Sequence, residues 1–121
     1  MTKAVYFFDS YAIIEIIKGN KNYEKYTNSI ILTTKLNLFE VFYSLLRYLN
    51  EKEYNTFLDR YIKFTVDFDK EIIKEAAKLK LQNKKLSMTD CIGYCLANKW
   101  GIKFLTGDRE FEGLENVEFV K

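Results

Sequence analysis

The sequence predicts an α/β fold, a three-layer α/β/α sandwich around a central, mainly parallel sheet. Three observations predict it. Short apolar runs occur without polar interruption, as in strands covered on both faces. Other stretches repeat their apolar residues at helical spacing. The two kinds of segment alternate along the chain, and a strand–helix alternation is typical of a parallel sheet between helices.

The N-terminal third begins this alternation. Residues 4–8 are a continuous apolar run, which predicts a buried strand that ends just before Asp9. Residues 11–18 show a helical pattern that stops at a glycine and an asparagine. The polar, aromatic stretch 21–28 is compatible with a short helix. Residues 29–33 contain three consecutive aliphatic side chains and predict a second buried strand.

The middle of the chain is mostly helical. From residue 34 to 49 apolar side chains recur at helical spacing, so we expect this helix to be mostly buried. One narrow polar stripe runs along it and consists of Asn37, Glu40, Ser44 and Arg47. A break at Asn50 precedes a second amphipathic helix over 51–61. Residues 64–68 are a candidate short strand.

The C-terminal part repeats the pattern. Residues 69–83 predict a helix, and the next helix begins at Ser87 and ends near Trp100. Residues 102–105 and 117–120 then predict the last two strands.

Composition limits the possible functions. The 121 residues, 48% of them hydrophobic, suffice for one compact domain over residues 1–121, and no linker composition interrupts them. The N-terminal apolar run breaks at Asp9, too early for a signal peptide, and no stretch reaches the roughly 18 apolar residues of a membrane helix. We therefore expect a cytoplasmic protein without a membrane segment. A net charge of +2 excludes nucleic-acid binding by bulk charge alone.

The chain contains no histidine, which excludes Ser-His-Asp triads, Cys-His pairs and histidine-bearing zinc centres. Glycine-rich phosphate-binding and dinucleotide-binding motifs are also absent from the sequence. Cys91 and Cys95 lie four residues apart, a spacing that matches neither a zinc finger nor a redox Cys-x-x-Cys motif, so we expect them in the core. Carboxylates must therefore carry any chemistry.

Four acids are candidates for a metal site: Asp9, Glu40, Asp90 and Asp108. Three of them lie where an apolar run ends or a helix begins, and in an α/β fold the carboxyl ends of the strands open into a crevice there. Carboxylates that meet would repel one another without a cation. Oxygen ligands favour Mg²⁺ or Mn²⁺ over zinc or copper.

Each acid also has an ordinary structural explanation. Asp9 is a favoured helix cap, and Asp90 follows Ser87 at the spacing of a capping box. Asp108 follows a glycine at a strand end, as turn residues do. Glu40 can belong to a solvated polar stripe. Only the conjunction of the four acids favours a metal site.

Four segments in this order resemble the PIN-domain ribonucleases, and most of all their VapC-type toxin branch: FFDS at 7–10, NLFEV at 37–41, LSMTDC at 86–91 and LTGDREF at 105–111. The resemblance covers essentially the whole chain. It implies an endoribonuclease that depends on Mg²⁺ or Mn²⁺, forms a homodimer and is inhibited by a small antitoxin protein encoded beside it.

The resemblance also implies roles for individual residues. Asp9 and Asp90 would be the principal metal ligands, and Glu40 and Asp108 would complete the pocket directly or through water. Ser10 and Thr106 would support the ligands as neutral hydroxyls. Two positions depart from the usual family pattern: Tyr11 follows Ser10, where it could alter the rim of the pocket, and Cys91 follows Asp90.

Single-stranded RNA is the expected substrate, because the metal must reach a sugar-phosphate backbone and exposed bases can stack on aromatic rings. Basic residues that could hold RNA, by sequence position only, are Arg47, Lys84, Lys85 and Arg109. The aromatic-rich helices over 36–61 could form a dimer contact or receive an antitoxin helix. One alternative is a catalytically silent PIN-like module that binds RNA or a protein. A phospho-receiver domain, with Asp67 as its nearest phosphate acceptor, is the other.

Overall fold

The computed structural model of the protein describes residues 3–121; Met1 and Thr2, the start of the stretch considered above as a signal peptide, lie outside the described residues. In residues 3–121 a four-stranded sheet has the strand order β2–β1–β3–β4. The strands are β1 (Val5–Phe8), β2 (Ile30–Leu32), β3 (Lys103–Thr106) and β4 (Val117–Phe119).

All three strand pairs are parallel, and Phe7 of β1 lies opposite both Leu32 of β2 and Phe104 of β3. The carboxyl ends of the strands therefore meet at one edge of the sheet. Asp9 follows β1 directly, and its N–H donates to the carbonyl of Leu105 in β3 at 3.2 Å. The ends of the two central strands are thus tied together at this edge.

Helices cover both faces of the sheet. Five α-helices occur in the described part of the chain: α1 (Ser10–Ile17), α2 (Lys35–Leu45), α3 (Glu51–Ile62), α4 (Lys70–Gln82) and α5 (Met88–Trp100). Two 3₁₀ helices, Lys21–Asn28 and Arg109–Phe111, complete them. Side chains alternate across a strand, so Phe7 packs with α4 and α5, whereas Phe8 packs with α1 and α2. The three-layer α/β/α fold with a parallel sheet is confirmed.

Several local predictions need correction. Residues 64–68 form no strand but a single parallel bridge, in which Thr65 pairs with Thr33 before the chain leaves for the cap of α4. The helix predicted to reach residue 49 ends at Leu45 and continues as a turn. β2 is less buried than expected because it lies at the side of the sheet, and Ile30 is 45% exposed.

The expectation that α2 is mostly buried is wrong. Leu38, Val41 and Phe42 face the core, but Phe39 is 75% exposed and Tyr43 76% exposed. A helix in an outer layer is covered on one side only, so an apolar residue on the other side has nothing to pack against. Cys91 and Cys95, by contrast, do pack in or against the core beside α4. No helix in residues 3–121 has the length and apolar character needed to cross a membrane.

Candidate functional site

Asp9 lies at the junction of β1 and α1, and its side chain is only 2% exposed. One carboxylate oxygen, Oδ1, accepts a hydrogen bond from the N–H of Ala12 at 2.8 Å and so caps α1. The cap fixes the direction of the side chain. A carboxylate has two oxygens with several acceptor positions, so the same group can cap a helix and bind a cation.

The environment of Asp9 disfavours its negative charge. The pKa of Asp9 is raised to about 8, mainly by burial, and the charges of Asp90 and Asp108 contribute to the rise. Hydrogen bonds from the Thr106 side chain and the Ala12 N–H act in the opposite direction. At neutral pH this carboxyl group therefore needs a proton or a positive charge nearby.

Asp90 lies in the first turn of α5 and forms a capping box with Ser87. The N–H of Asp90 donates to Ser87 Oγ at 3.0 Å, and Asp90 Oδ2 accepts from the N–H of Ser87 at 3.0 Å. Burial is the main cause of a raised pKa at Asp90, and the charges of Asp108 and Glu40 add to it, against the hydrogen bonds with Ser87. The capping box is real, and it orients the carboxylate beside the other acids.

Glu40 is held by a chain of hydrogen bonds that the sequence did not reveal. Ser10 Oγ donates to Glu40 Oε1 at 2.6 Å, and Asn37 Nδ2 donates to Ser10 Oγ at 3.1 Å. Thr34 Oγ1 in turn donates to Asn37 Oδ1 at 2.6 Å. Glu40 is therefore tied to the residue that follows Asp9, across 30 positions of sequence.

Asn37 is the positioning residue that sequence reasoning missed, because it was assigned only to the polar stripe of α2. It is 1% exposed, whereas Ser44 and Arg47 of the same stripe are exposed. A signal was available: Asn37 lies three residues before Glu40, so both lie on one helix face, and three residues after Thr34, the spacing of an N-cap bond.

Asp108 follows β3 after one glycine and caps the second 3₁₀ helix. Its N–H donates to the buried Thr106 Oγ1 at 3.0 Å, and its Oδ1 accepts from the N–H of Glu110 at 3.0 Å. The Thr106 side chain thus accepts a hydrogen bond from the backbone of Asp108 and also lowers the pKa of Asp9. This single hydroxyl links the ends of β1 and β3.

The four acids form one electrostatic group, because the charges of Asp90 and Asp108 act on Asp9, and those of Asp108 and Glu40 act on Asp90. In the described residues no three acids or cysteines already stand at the spacing of a metal-binding cluster. The donors are all oxygens, and this set fits a hard divalent cation.

The basic residues proposed for RNA binding are all exposed: Arg47, Lys84, Lys85 and Arg109. Two of them have partners, since Arg109 pairs with Glu112 at 3.6 Å and Arg47 lies 5.9 Å from the ring centroid of Tyr48. Asp67, the acid considered for a phospho-receiver, is exposed and follows the Thr65 bridge rather than a central strand.

The fold resembles several solved structures. A toxin–antitoxin complex from Klebsiella pneumoniae superposes with a TM-score of 0.77 and 16% identity, over 93% of this chain and 95% of that chain. Mycobacterium tuberculosis VapC20, described as a sarcin-ricin loop cleaving toxin, superposes with a TM-score of 0.77 and 14% identity, over 96% of this chain and 99% of that chain. VapBC2 from Rickettsia felis, bound to a promoter DNA fragment, superposes with a TM-score of 0.73 and 15% identity, over 97% of this chain and 99% of that chain. At these identities the similarity establishes the fold.

Sequence comparison is more decisive for the family. No curated protein sequence matches the chain significantly. The model of the PIN domain, however, matches residues 6–117. This range contains all four acids and nearly the whole chain, and the chain therefore belongs to the PIN-domain family.

Proposed function

We propose that this protein, as a single domain, is a metal-dependent endoribonuclease that cleaves RNA phosphodiester bonds, and that it is the VapC-type toxin of a type II toxin–antitoxin pair. The observation that carries the proposal is the group of four electrostatically coupled acids at the carboxyl edge of the sheet. Membership of the PIN-domain family and the similarity to structures described as toxins support it.

Mg²⁺ or Mn²⁺ is the proposed cofactor. Asp9 and Asp90 would be its principal ligands, and Glu40 and Asp108 would complete the pocket directly or through water. A divalent ion bound there would supply a nucleophilic water at neutral pH and stabilise the charge that develops on the phosphate. This chemistry suits a chain without histidine, in which no imidazole can act as a general base.

The protein's own residues would hold the ligands in place. Ser10 keeps Glu40 directed toward the end of β1 through its 2.6 Å hydrogen bond. Thr106 accepts from the backbone of Asp108 and favours the charged form of Asp9, whose pKa it lowers. Since both hydroxyls are neutral, they orient the carboxylates without adding a positive charge, and the net negative charge remains available for the cation.

The proposed substrate is single-stranded RNA, and the cytoplasm is the proposed place of action. With a net charge of +2, phosphate contacts must come from local groups. Arg109 is the candidate adjacent to an acid, since it follows Asp108 directly, and Lys84 and Lys85 precede the helix that carries Asp90.

A protein partner is proposed for the α2 apolar face, which we define as the exposed side chains Phe39, Tyr43, Leu46 and Tyr48. Exposed apolar patches on a small protein mark interaction surfaces. We propose that the antitoxin covers this face, because two of the structurally similar proteins are in toxin–antitoxin assemblies. A homodimer is also proposed, through other surfaces.

The test is cleavage of a panel of labelled RNAs in Mg²⁺, Mn²⁺ or EDTA by wild type and by Asp9→Asn and Asp90→Asn. Asparagine caps helices about as well as aspartate, so Asp9→Asn loses charge while retaining its cap. Asp90→Asn loses charge but keeps a side-chain oxygen that can accept from the N–H of Ser87, the cap residue of α5. Asp69→Asn is the matched control, since Asp69 caps α4 through the N–H of Ile72 at 3.1 Å and is exposed. We expect metal-dependent cleavage by wild type and Asp69→Asn, and none by the other two.

Two results would contradict the proposal. Equal cleavage by wild type and both site variants would place the active site elsewhere. If wild type cuts no RNA with any metal and calorimetry detects no Mg²⁺ or Mn²⁺ binding, the acids are only helix caps. The chain would then be a silent PIN-like module that binds RNA or a protein.

A further inference from the structure

The turn over residues 106–108, which carries Asp108, packs against two side chains that do not belong to the acidic group. We propose that Tyr11 and Lys121 are positioning residues that clamp this turn at Gly107 and so hold Asp108 in place for metal binding. The clamp itself is independent of the proposed function, and only the role of Asp108 as a ligand rests on it.

Gly107 is buried between the Tyr11 ring and the backbone of Val120. A Cβ atom at position 107 would overlap both the Tyr11 ring and the Val120 carbonyl oxygen. Gly107 is not among the positive-φ glycines, so the close contact rather than backbone conformation requires a glycine here. The ring of Tyr11 therefore lies directly on the backbone of the turn.

Lys121 binds the turn through the carbonyl group of Gly107. Its Nζ donates to the carbonyl oxygen of Gly107 at 3.1 Å and lies 5.0 Å from the centroid of the Tyr11 ring. The neighbouring Val120 N–H donates to Thr106 O at 2.8 Å. The carbonyl groups of Thr106 and Gly107, which precede Asp108, thus accept hydrogen bonds from Val120 and Lys121, which follow β4.

The end of that segment is itself anchored. Tyr23 donates its hydroxyl proton to the carbonyl oxygen of Val120 at 2.5 Å, and the rings of Tyr11 and Tyr23 are 6.4 Å apart. A displacement of Lys121 or Tyr11 would reach Asp108 through one peptide unit. Tyr11, noted from the sequence as a possible change at the pocket rim, thus contacts the turn that carries Asp108.

The first arm of the test measures Mn²⁺ binding by calorimetry for wild type, Lys121→Met and Lys121→Arg. Loss of the ammonium removes a charged hydrogen bond and a cation–π contact, so we expect Lys121→Met to raise the dissociation constant about three- to tenfold. Arginine can donate to the same carbonyl and stack on the same ring, so Lys121→Arg should recover most of the affinity.

Lys25→Met is the matched control. Lys25 lies 5.1 Å from the ring centroid of Tyr26, a geometry close to that of Lys121 on Tyr11. Lys25 and Tyr26 line a cleft with Ala4, before β1 begins, at the opposite edge of the sheet from the acids. We expect Lys25→Met to bind Mn²⁺ with the same affinity as wild type. Lys121→Met and Lys25→Met should both melt near the wild-type temperature.

The second arm of the test needs no metal and measures amide hydrogen exchange at Asp108 and Glu110. The N–H of Asp108 donates to Thr106 Oγ1, and the N–H of Glu110 donates to Asp108 Oδ1. We expect faster exchange in Lys121→Met than in Lys25→Met. Unchanged exchange would overturn the clamp, and faster exchange with unchanged Mn²⁺ affinity would overturn its positioning role. If wild type binds no Mn²⁺, the proposed function fails, and exchange alone decides whether the clamp exists.

Discussion

At Asp9 an ionisable group lies where water scarcely reaches, and this couples folding to pH. Its pKa is about 8 in the folded protein against an ordinary value of 3.8, mainly because of burial. Between these two pH values the folded state keeps a proton that the unfolded chain has released. The free energy of unfolding of the metal-free protein therefore falls as pH rises from 3.8 to about 8.

Asp9→Asn should remove this dependence, because asparagine keeps the cap but does not titrate. Wild type should lose stability relative to the variant by on the order of 1 kcal/mol per pH unit across this range. Urea denaturation of both proteins in EDTA at several pH values measures the difference. Asp69→Asn, at an exposed cap, should not reproduce it, and parallel pH profiles of wild type and Asp9→Asn would contradict the prediction.

At the scale of elements, the seating of α5 on the sheet places Asp90. Gly93 lies three residues after Asp90 on α5 and faces the stacked rings of Phe7 and Phe104, whose centroids are 5.6 Å apart. A Cβ at position 93 would lie 2.5 Å from the Phe7 ring and 3.2 Å from the Phe104 ring. The missing side chain lets the helix approach β1 and β3 closely.

Gly93→Ala should therefore destabilise the protein, although alanine is the better helix former by about 1 kcal/mol. Overlap with packed rings should cost about 1–3 kcal/mol, which outweighs the gain in propensity. Urea denaturation measures the change. The Phe7→Leu/Gly93→Ala double variant should lose less free energy of unfolding than the sum of the losses in the two single variants. A stabilising Gly93→Ala would mean that the rings give way and the close approach is not required.

At the scale of the whole molecule, the exposed α2 apolar face and the group of four acids are distinct features. The α2 apolar face lies on the exposed side of α2. Of the four acids only Glu40 lies on the same helix, and the hydrogen bond from Ser10 directs its carboxylate toward the end of β1. Substitutions on this face should therefore change partner binding while leaving the chemistry intact. The separation allows the proposed antitoxin contact to be tested independently of catalysis.

Phe39→Ser/Tyr43→Ser should keep RNA cleavage but escape inhibition by the proposed antitoxin, because it removes two of the most exposed apolar side chains. Cleavage with and without that co-expressed protein measures the escape. Ile73→Ser/Leu81→Ser, at exposed apolar positions of α4, is the control and should remain inhibited. If sedimentation instead shows that Phe39→Ser/Tyr43→Ser turns a dimer into a monomer, the face belongs to the homodimer.

Much of the fold was predictable because its signals are local. The apolar runs predicted the four strands of the described residues, and the cap residues Asp9, Asp69 and Ser87 stand where helices begin. The stretch 64–68 misled the prediction, because a short apolar run does not reveal whether a partner strand lies beside it. Within residues 3–121 only Thr33 pairs with this stretch, and a single bridge results.

The sequence by itself determined which chemistry is available: carboxylates without histidine, placed at the ends of strands and the starts of helices. Residue type and local spacing suffice for that. Tertiary structure decided that Asp9 is buried, that Ser10 and Asn37 hold Glu40, and that Lys121 reaches Gly107. These contacts join residues that are distant in the chain, and their strength depends on desolvation, which only the packed layers create.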